Sequence, residues 1–383
     1  SMVAMTHDLM RGLKDEPFML MEQTPSQQNW QHYNSLKRPG QMRAQSYQTI
    51  AHGADTIQFF QLRRSKGGCE KFHGAVIAHV GTNDTRVFKE TAQLGRELES
   101  FGTRTLGTRN KSDVGIIFDW DNYWALEYTS GPTQDLKYVD QIHHYYEYFY
   151  NKNISVDMIP VDGDFSKYKV IAAPVLYMVK EGMKEKLEQF VKNGGTLITT
   201  FMSGIVDQSD NVHLGGYPGP LREMAGVWVE EIDALAPEQS NTVSFSDGKE
   251  YKCNLLCDLE GAEVLATYES DFYAGMPAVT KNIYGKGHVY YVATQLEAAG
   301  LARVLDEATN EVSVSGVIAE ETGLEITCRE SENTRFYFVM NFTDEKQTLP
   351  ASLAGMVDLI TGEAAKEGDV MNKWDVKILQ EAL

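Results

Sequence analysis

The sequence predicts an α/β chain that ends in a smaller β-rich part. Short apolar strands alternate with amphipathic helices from residue 18 to residue 201, an order typical of a sheet of parallel strands. From 241 to 295 the pattern changes to successive strands, and residues 314–383 alternate short strands with turns. At 383 residues the chain is long enough for two or three domains.

Two strand–helix pairs are predicted in the first 110 residues. Residues 18–22 form an apolar run that ends in a carboxylate, and residues 56–62 are aromatic and β-branched, as strands prefer. Helices are expected at 41–52 and 86–101, where apolar residues recur on one face. Two such pairs make only part of a parallel α/β fold.

A second region begins near residue 111, and its pattern indicates an open doubly wound sheet. Its predicted elements are strands 114–118, 154–159, 169–173 and 196–201 and helices 135–151, 180–193 and 296–309. The last stretch has its clearest strand at 335–340 and its clearest turn at Thr361-Gly362. We therefore expect a small antiparallel β-domain at the end of the chain.

Composition and charge exclude several classes of protein. Apolar residues make up 42% and charged residues 23%, as in soluble globular proteins, and no apolar run approaches the ~18 residues of a membrane span. Four scattered cysteines favour a reducing compartment, so a cytoplasmic location is expected. Residues 1–110 carry 14 basic and 10 acidic residues, and the remainder, with 21 basic and 44 acidic, has a net charge of −23. Nucleic acid and anionic membranes are poor partners for such a surface.

Glu22 is the residue that points most directly to chemistry. It ends a buried-looking strand, the position at which α/β barrels place catalytic groups. Trp30, Phe60, Glu70 and His73 follow it. A carboxylate nucleophile, aromatic rings and hydrogen-bonding polar groups are what a sugar site requires. The structural alternatives are a solvated strand end, core packing of the two aromatic residues, and a loop ion pair between Glu70 and His73.

Other motifs give weaker signals, and no cofactor or metal is predicted. The turn at 200–204 offers no Cys for amidotransferase chemistry. Asp119 and Asp121 would repel the phosphate of a flavin, and Cys253 and Cys257 lack a second pair for a metal. The aromatic run at 145–150 is expected to pack in the core, with a subunit interface as the alternative.

Residues 18–30, Phe-Met-Leu-Met-Glu-Gln-Thr-Pro-Ser-Gln-Gln-Asn-Trp, resemble the nucleophile segment of the β-galactosidases of glycoside hydrolase family 42. Further segments are similar to that family, at residues 39–43, 51–55, 70–74 and 116–126. The spacings match the family as well as the residue types do. Counted from Glu22, the four residues that match lie 8, 38, 48 and 51 positions later, at Trp30, Phe60, Glu70 and His73. The resemblance covers essentially the whole chain.

The resemblance implies retaining hydrolysis of terminal β-D-galactosides by a homotrimer, without a cofactor. Glu22 would be the nucleophile that forms a galactosyl-enzyme ester. Trp30 and Phe60 would wall the sugar pocket, and Glu70 and His73 would bind galactose hydroxyls.

The resemblance also implies a fold class and three parts. The chain would be α/β, with the last two strand–helix units of a TIM barrel at 1–110, a flavodoxin-like trimerisation domain at 111–313 and a small β-sandwich-like domain at 314–383. In the trimer, Trp120 and Trp124 would border the active site of a neighbouring subunit.

The chain departs from the family in one respect. Retaining hydrolysis needs a second carboxylic acid ~5–5.5 Å from the nucleophile, and in this family that acid follows an Asn well before the nucleophile. Only 21 residues precede Glu22, and the single Asn-Glu pair, Asn310-Glu311, falls in or beside a predicted helix. We therefore expect the C-terminal portion of such an enzyme, inactive by itself. A trimer-forming module without catalysis is the alternative.

Overall fold

The computed structural model describes residues 1–253, 258, 259 and 261–383. The chain divides into two compact units. The first unit comprises residues 1–5, 112–150 and 156–315. The second unit comprises residues 6–111, 151–155 and 316–383.

The helices and strands follow the predicted order closely. The α-helices of the described residues are α1 Met2–Gly12, α2 Gln41–Ala51, α3 Arg86–Phe101, α4 Trp120–Tyr128, α5 Tyr138–Asn151, α6 Met183–Lys192, α7 Arg222–Ala225 and α8 Ala298–Glu311. The strands are β1 Phe18–Gln23, β2 Ala54–Phe59, β3 Val114–Ile117, β4 Val156–Ile159, β5 Val170–Ala173, β6 Thr196–Thr200, β7 Val227–Trp228, β8 Asn241–Phe245, β9 Glu250–Cys253, β10 Asp258–Leu259, β11 Glu263–Tyr268, β12 Pro277–Tyr284, β13 Gly287–Val292, β14 Glu325–Glu330, β15 Thr334–Met340, β16 Gln347–Thr348, β17 Val357–Asp358, β18 Val370–Met371 and β19 Val376–Ala382.

Helix α4 is an element that the sequence analysis does not predict. The Asp119 side chain caps it by accepting a hydrogen bond from the Asn122 backbone N–H at 3.2 Å. Trp120, Trp124 and Tyr128 are exposed on one face of the helix, whereas its buried residues lie on the other face. Large apolar residues therefore do not mark the buried face, and the helix is difficult to recognise from its sequence.

The first unit is built on one mixed sheet, whose described strands run in the order β4-β3-β5-β6-β13-β12-β11-β8-β9. The pairs from β4 to β13 are parallel and the pairs from β13 to β9 are antiparallel. Every residue of β3, β4, β5 and β6 is buried, as expected where both faces of a parallel sheet are covered. The predicted doubly wound sheet thus corresponds to the parallel part of this mixed sheet.

The aromatic run on α5 is largely buried. Tyr145, Tyr146, Tyr148 and Phe149 are buried within this one chain, whereas Tyr150 is half-buried. The prediction of core packing is therefore confirmed for the first four residues, whose side chains are not available to a subunit interface.

In the second unit, the strands near the two chain ends are joined by a shared core. Strands β1 and β2 form a two-stranded parallel sheet, and β14, β15, β19 and β17 form an antiparallel one. Phe336, Phe338 and Met340 of β15 pack with buried residues of α2 and α3. Tyr337 and Val339 point into a separate apolar cluster on the other side. This alternation is the period of two that a strand covered on both faces requires.

A buried charged cluster lies directly after α2. His52 hydrogen-bonds Asp8 through Nδ1 at 2.8 Å and Glu325 through Nε2 at 2.8 Å. Arg11 pairs with the same Asp8 oxygen, and the Gln48 amide donates to Glu325 at 2.7 Å. Burial disfavours the imidazolium, but the two carboxylates outweigh it and raise the pKa of His52 to about 9. The cluster is therefore formed with His52 protonated at neutral pH.

The first prediction concerns how stability depends on pH. Because the folded pKa of His52 lies above its ordinary value of 6.5, its contribution is complete below that value and is lost as pH rises through about 9. The difference in unfolding free energy between the wild type and His52→Gln should shrink by about 3 kcal/mol between about pH 6.5 and pH 10. Urea unfolding at a series of pH values measures it.

The exposed His32 supplies the matched control. The unfolding free energy of His32→Gln should stay within about 0.5 kcal/mol of the wild type across the same range. A His52→Gln difference that does not change with pH would show that the imidazole is not charged in the folded protein.

Candidate active site

The carboxyl ends of β1 and β2 form the framework of the candidate site. Because the strands are parallel, both end at the same edge. Gln23 pairs with Phe59, and the Phe60 backbone N–H donates to the Gln23 carbonyl at 3.0 Å. Glu22 and Phe60 are thereby held on neighbouring strand ends, with the Glu22 side chain exposed.

The loops that follow the two strands are bound to each other. The Gly74 backbone N–H donates to the Gln27 carbonyl at 2.7 Å, and the Gln27 amide donates to the Phe72 carbonyl at 3.0 Å. The Asn29 amide donates to the Cys69 carbonyl at 3.0 Å. The segment that carries Trp30 is therefore tied to the segment that carries Glu70 and His73.

His73 is the buried member of the predicted set. Its ring, 3% exposed, stands edge-to-face on Phe60, with the centroids 5.1 Å apart. Nδ1 lies 2.9 Å from the Gly74 carbonyl, which can only accept, so Nδ1 carries a proton, and in the neutral ring Nε2 is the acceptor. The predicted alternative of a Glu70–His73 ion pair is wrong, since these two described residues meet through the His73 N–H and the Glu70 carbonyl at 3.0 Å.

The remaining predicted residues lie at the surface. Trp30 is 68% exposed, which excludes the alternative of core packing for its ring. Glu70 is also exposed, and Phe60 is half-buried. The structure thus brings Glu22, Phe60 and His73 together through the strand ends and the ring contact. Trp30 and Glu70 join them through the loop-to-loop hydrogen bonds.

Lys37 belongs to this region, although the sequence analysis does not single it out. Its ammonium donates to the Thr24 carbonyl at 2.6 Å and to the Gln23 side-chain oxygen at 3.4 Å. Burial lowers its pKa to about 8. In a long polar loop, a partly buried lysine cannot be distinguished by sequence from a solvated one, so no sequence pattern points to Lys37.

The turn after β6 shows no sign of amidotransferase chemistry. Ser203 in this turn is buried, and its hydroxyl accepts hydrogen bonds from the Leu176 N–H and the Thr199 hydroxyl, each at 3.0 Å. Asp119 and Asp121 both bind the Lys180 ammonium, at 2.8 and 2.7 Å. These polar groups therefore stabilise the first unit internally.

No group of three His, Cys, Asp or Glu side chains in the described residues is placed to hold a metal ion. Cys253 is buried, and Cys257 lies outside the described residues. None of the described helices is long and apolar enough to span a membrane.

A carboxylate at the shared edge of parallel strands, with an exposed indole and a ring-packed histidine on the loops that follow those strands, has the composition of a glycoside hydrolase site. Comparison with known families makes this class specific. Residues 1–101 match the β-galactosidase family model, residues 112–315 its trimerisation domain and residues 323–381 its C-terminal domain. The chain belongs to the β-galactosidases of glycoside hydrolase family 42, which confirms the resemblance found in the sequence.

Individual relatives agree with this family. The β-galactosidase LacZ of Lactobacillus acidophilus is 52% identical over 381 residues, which cover 98% of this chain and 57% of the relative. BgaA of Planococcus sp. is 51% identical over 99% of this chain and 57% of its own length. The crystal structure of a β-galactosidase from Bacillus circulans sp. alkalophilus superposes with a TM-score of 0.96 at 49% identity, covering 99% of this chain and 57% of that one. The chain thus spans a little more than half the length of these relatives, and the predicted fold class is confirmed.

The contact between the two loops gives the second prediction. A Cβ atom on Gly74 would lie 2.8 Å from the Gln27 carbonyl oxygen and 3.0 Å from the Gln27 backbone nitrogen. The substitution Gly74→Ala must therefore move the backbone of one loop away from the backbone of the other. We expect a loss of about 1–3 kcal/mol in stability. Hydrogen exchange followed by mass spectrometry should show faster exchange in peptides covering 24–30 and 70–76.

Gly67 in the same loop provides the comparison. A Cβ there meets nothing within 4 Å, so Gly67→Ala should leave exchange and stability unchanged. Equal behaviour of the two variants would contradict the close approach.

Proposed function

We propose that this chain carries the nucleophile half of a β-galactosidase site, with Glu22 as the nucleophile. Its carboxylate would attack the anomeric carbon of a terminal β-D-galactoside, and the glycosidic bond would break as the leaving oxygen takes a proton from a second carboxylic acid. Water would then release galactose from the ester on Glu22, with the β configuration retained. The observation that carries this proposal is Glu22 near the end of β1, with Phe60 directly after the neighbouring strand β2, in a member of this family.

The neighbouring side chains would then bind the sugar. The exposed indole of Trp30 offers an apolar face to the C–H side of the ring, and Phe60 offers another. Nε2 of His73 can accept a hydrogen bond from a hydroxyl, since Nδ1 carries the proton. The exposed carboxylate of Glu70 can accept from hydroxyls as well.

We propose that the other barrel units and the acid come from polypeptide outside these 383 residues. A barrel closes through all its strands, whereas β1 and β2 make a sheet of two. The domain boundaries remain those predicted, with the barrel portion at 1–110, the trimerisation domain at 111–313 and the β-domain at 314–383. The cytoplasmic location also stays a proposal, supported by the unpaired Cys69, Cys253 and Cys328.

The third prediction tests catalysis. The 383-residue chain alone should not hydrolyse a chromogenic β-galactoside, because the proton donor for the leaving group is missing. A polypeptide that adds the remaining barrel units should hydrolyse it, and Glu22→Gln in that polypeptide should lower kcat roughly 10³-fold or more. Initial rates at saturating substrate measure both effects.

Glu99→Gln, at an exposed position of α3, serves as the control and should keep the wild-type rate. Turnover by the chain alone would contradict the missing-acid proposal. Inactivity of the completed polypeptide would instead favour a trimer-forming module without catalysis.

A stripe of exposed aromatic residues on α4 supports homotrimer assembly through the first unit. Trp120, Trp124 and Tyr128 are 45, 55 and 91% exposed and recur every four residues, so they lie along one face of the helix. The opposite face buries Asn122 and Leu126. Large exposed aromatic patches mark association sites, and this stripe lies in the segment that matches the trimerisation domain.

The fourth prediction follows from this stripe. Light scattering of the 43.0 kDa chain should give about three times that mass. Trp124→Lys with Tyr128→Lys should shift it to the monomer, because a charged group in an apolar interface loses its hydration. Phe272→Lys, at a position 75% exposed in the same unit, should leave the mass unchanged. A wild-type chain that is strictly monomeric would count against assembly through this unit.

A further inference from the structure

We infer that Lys37 is a positioning residue that fixes the strand end carrying Glu22, an inference that rests on the proposed function. The Lys37 ammonium binds the two residues that follow Glu22, through the Thr24 carbonyl at 2.6 Å and the Gln23 side-chain oxygen at 3.4 Å. The Gln23 amide nitrogen in turn lies 3.4 Å from the Ser46 hydroxyl of α2. The end of β1 is thus held from the side of α2 as well as by β2.

The hydrogen bonds that begin at Lys37 continue to the loop after β2, which carries Glu70 and His73. The Thr24 hydroxyl donates to the Gln27 carbonyl at 3.1 Å, and that carbonyl also accepts from the Gly74 N–H at 2.7 Å. Gly74 adjoins His73, whose ring packs on Phe60. One continuous set of bonds therefore runs from Lys37 past Glu22 to the predicted sugar-binding residues.

The surroundings of Lys37 contain few charges. The groups that its ammonium contacts, from β1 and the residue after it, are neutral, and Ser46 on α2 behind Gln23 is neutral as well. The Arg86 guanidinium at the start of α3 binds the Lys37 carbonyl at 3.0 Å and Glu90 at 3.0 Å. The ion pairs found among the described residues include none to Lys37, and its ammonium contacts the Thr24 carbonyl and the Gln23 side-chain oxygen. The cation is thus held mainly by a carbonyl and an amide oxygen.

The first experiment uses the 383-residue chain and does not depend on activity. Lys37→Met keeps the apolar stem but removes three donors, so hydrogen exchange of peptides covering 20–30 and 70–76 should accelerate at least about tenfold. Lys37→Arg retains a cation and donors and should preserve protection. Lys66→Met, an exposed lysine in the neighbouring loop, is the matched control. Unchanged exchange in Lys37→Met would overturn the inference.

The second experiment uses the polypeptide with all barrel units. Misplacing a nucleophile by about 1 Å can cost about 100-fold in rate, so Lys37→Met should lower kcat by about 10–100-fold while KM changes less than about threefold. Rescue by Lys37→Arg, with the melting temperature recorded for each variant, separates positioning from a loss of folded protein. A kcat within about twofold of the wild type in Lys37→Met would overturn the inference and leave the proposed function intact.

The pH profile adds a readout that a purely structural lysine would not move. Since burial lowers the pKa of Lys37 to about 8, the anchoring cation is present below that pH and is lost above it. The alkaline fall of kcat/KM should therefore move upward by at least about one pH unit in Lys37→Arg, whose guanidinium stays charged. An identical alkaline limb would contradict the role of the cation. A wild-type polypeptide without galactosidase activity would overturn the proposed function, whereas the exchange experiment still decides whether Lys37 anchors the strand end.

Discussion

The second unit depends on a guanidinium buried without access to water. Arg329 of β14 is 0% exposed, and its Nη1 group donates to the carbonyls of Ile50 and Ala54 at 2.9 and 2.8 Å. Its Nη2 group donates to Asp55 at 2.7 Å and to the Thr108 carbonyl at 2.8 Å. The Nε–H group of Arg329 has no hydrogen-bond partner in the described residues, so the stability of this buried charge depends on the acceptors of Nη1 and Nη2. Three of the four acceptor residues belong to α2 and β2, on either side of the turn that joins them.

That turn determines where the candidate site lies. Ala54 starts β2 and is paired with Phe18 at the start of β1. A shift of the turn would therefore move β2 along β1 and separate the Phe60 N–H from the Gln23 carbonyl. His52, in the same turn, adds its bonds to Asp8 and Glu325. The C-terminal sheet thus fixes the register of strands that lie some 270 residues earlier, as the 273-residue separation of His52 and Glu325 shows.

Elements with a regular apolar pattern can be predicted from the sequence, whereas little that depends on tertiary contacts can. The predicted helix at 86–101 has the bounds of α3, because Thr85 caps it and its apolar stripe is regular. Helix α4 was missed because aromatic residues cover its exposed face. The candidate residues came from a family resemblance, but Lys37 and Arg329 gave no signal, since charged residues are usually solvated. Only the fold reveals that both are bound by carbonyl oxygens.

The two sides of the β1–β2 pair differ in how much of their surface is buried. On the side of α2 the strands rest on a dense core that includes the buried Tyr47, Phe338 and Ile378. At the strand ends, Glu22, Trp30 and Glu70 are exposed. A glycosidase must surround its substrate, because hydrogen bonds to the sugar gain strength when water is excluded. Under the proposed function, the scaffold that orients the nucleophile lies within these residues, whereas the enclosure of the sugar and the proton donor would come from further polypeptide. Such a division would let this chain position Glu22 on β1 and still depend on another segment for chemistry.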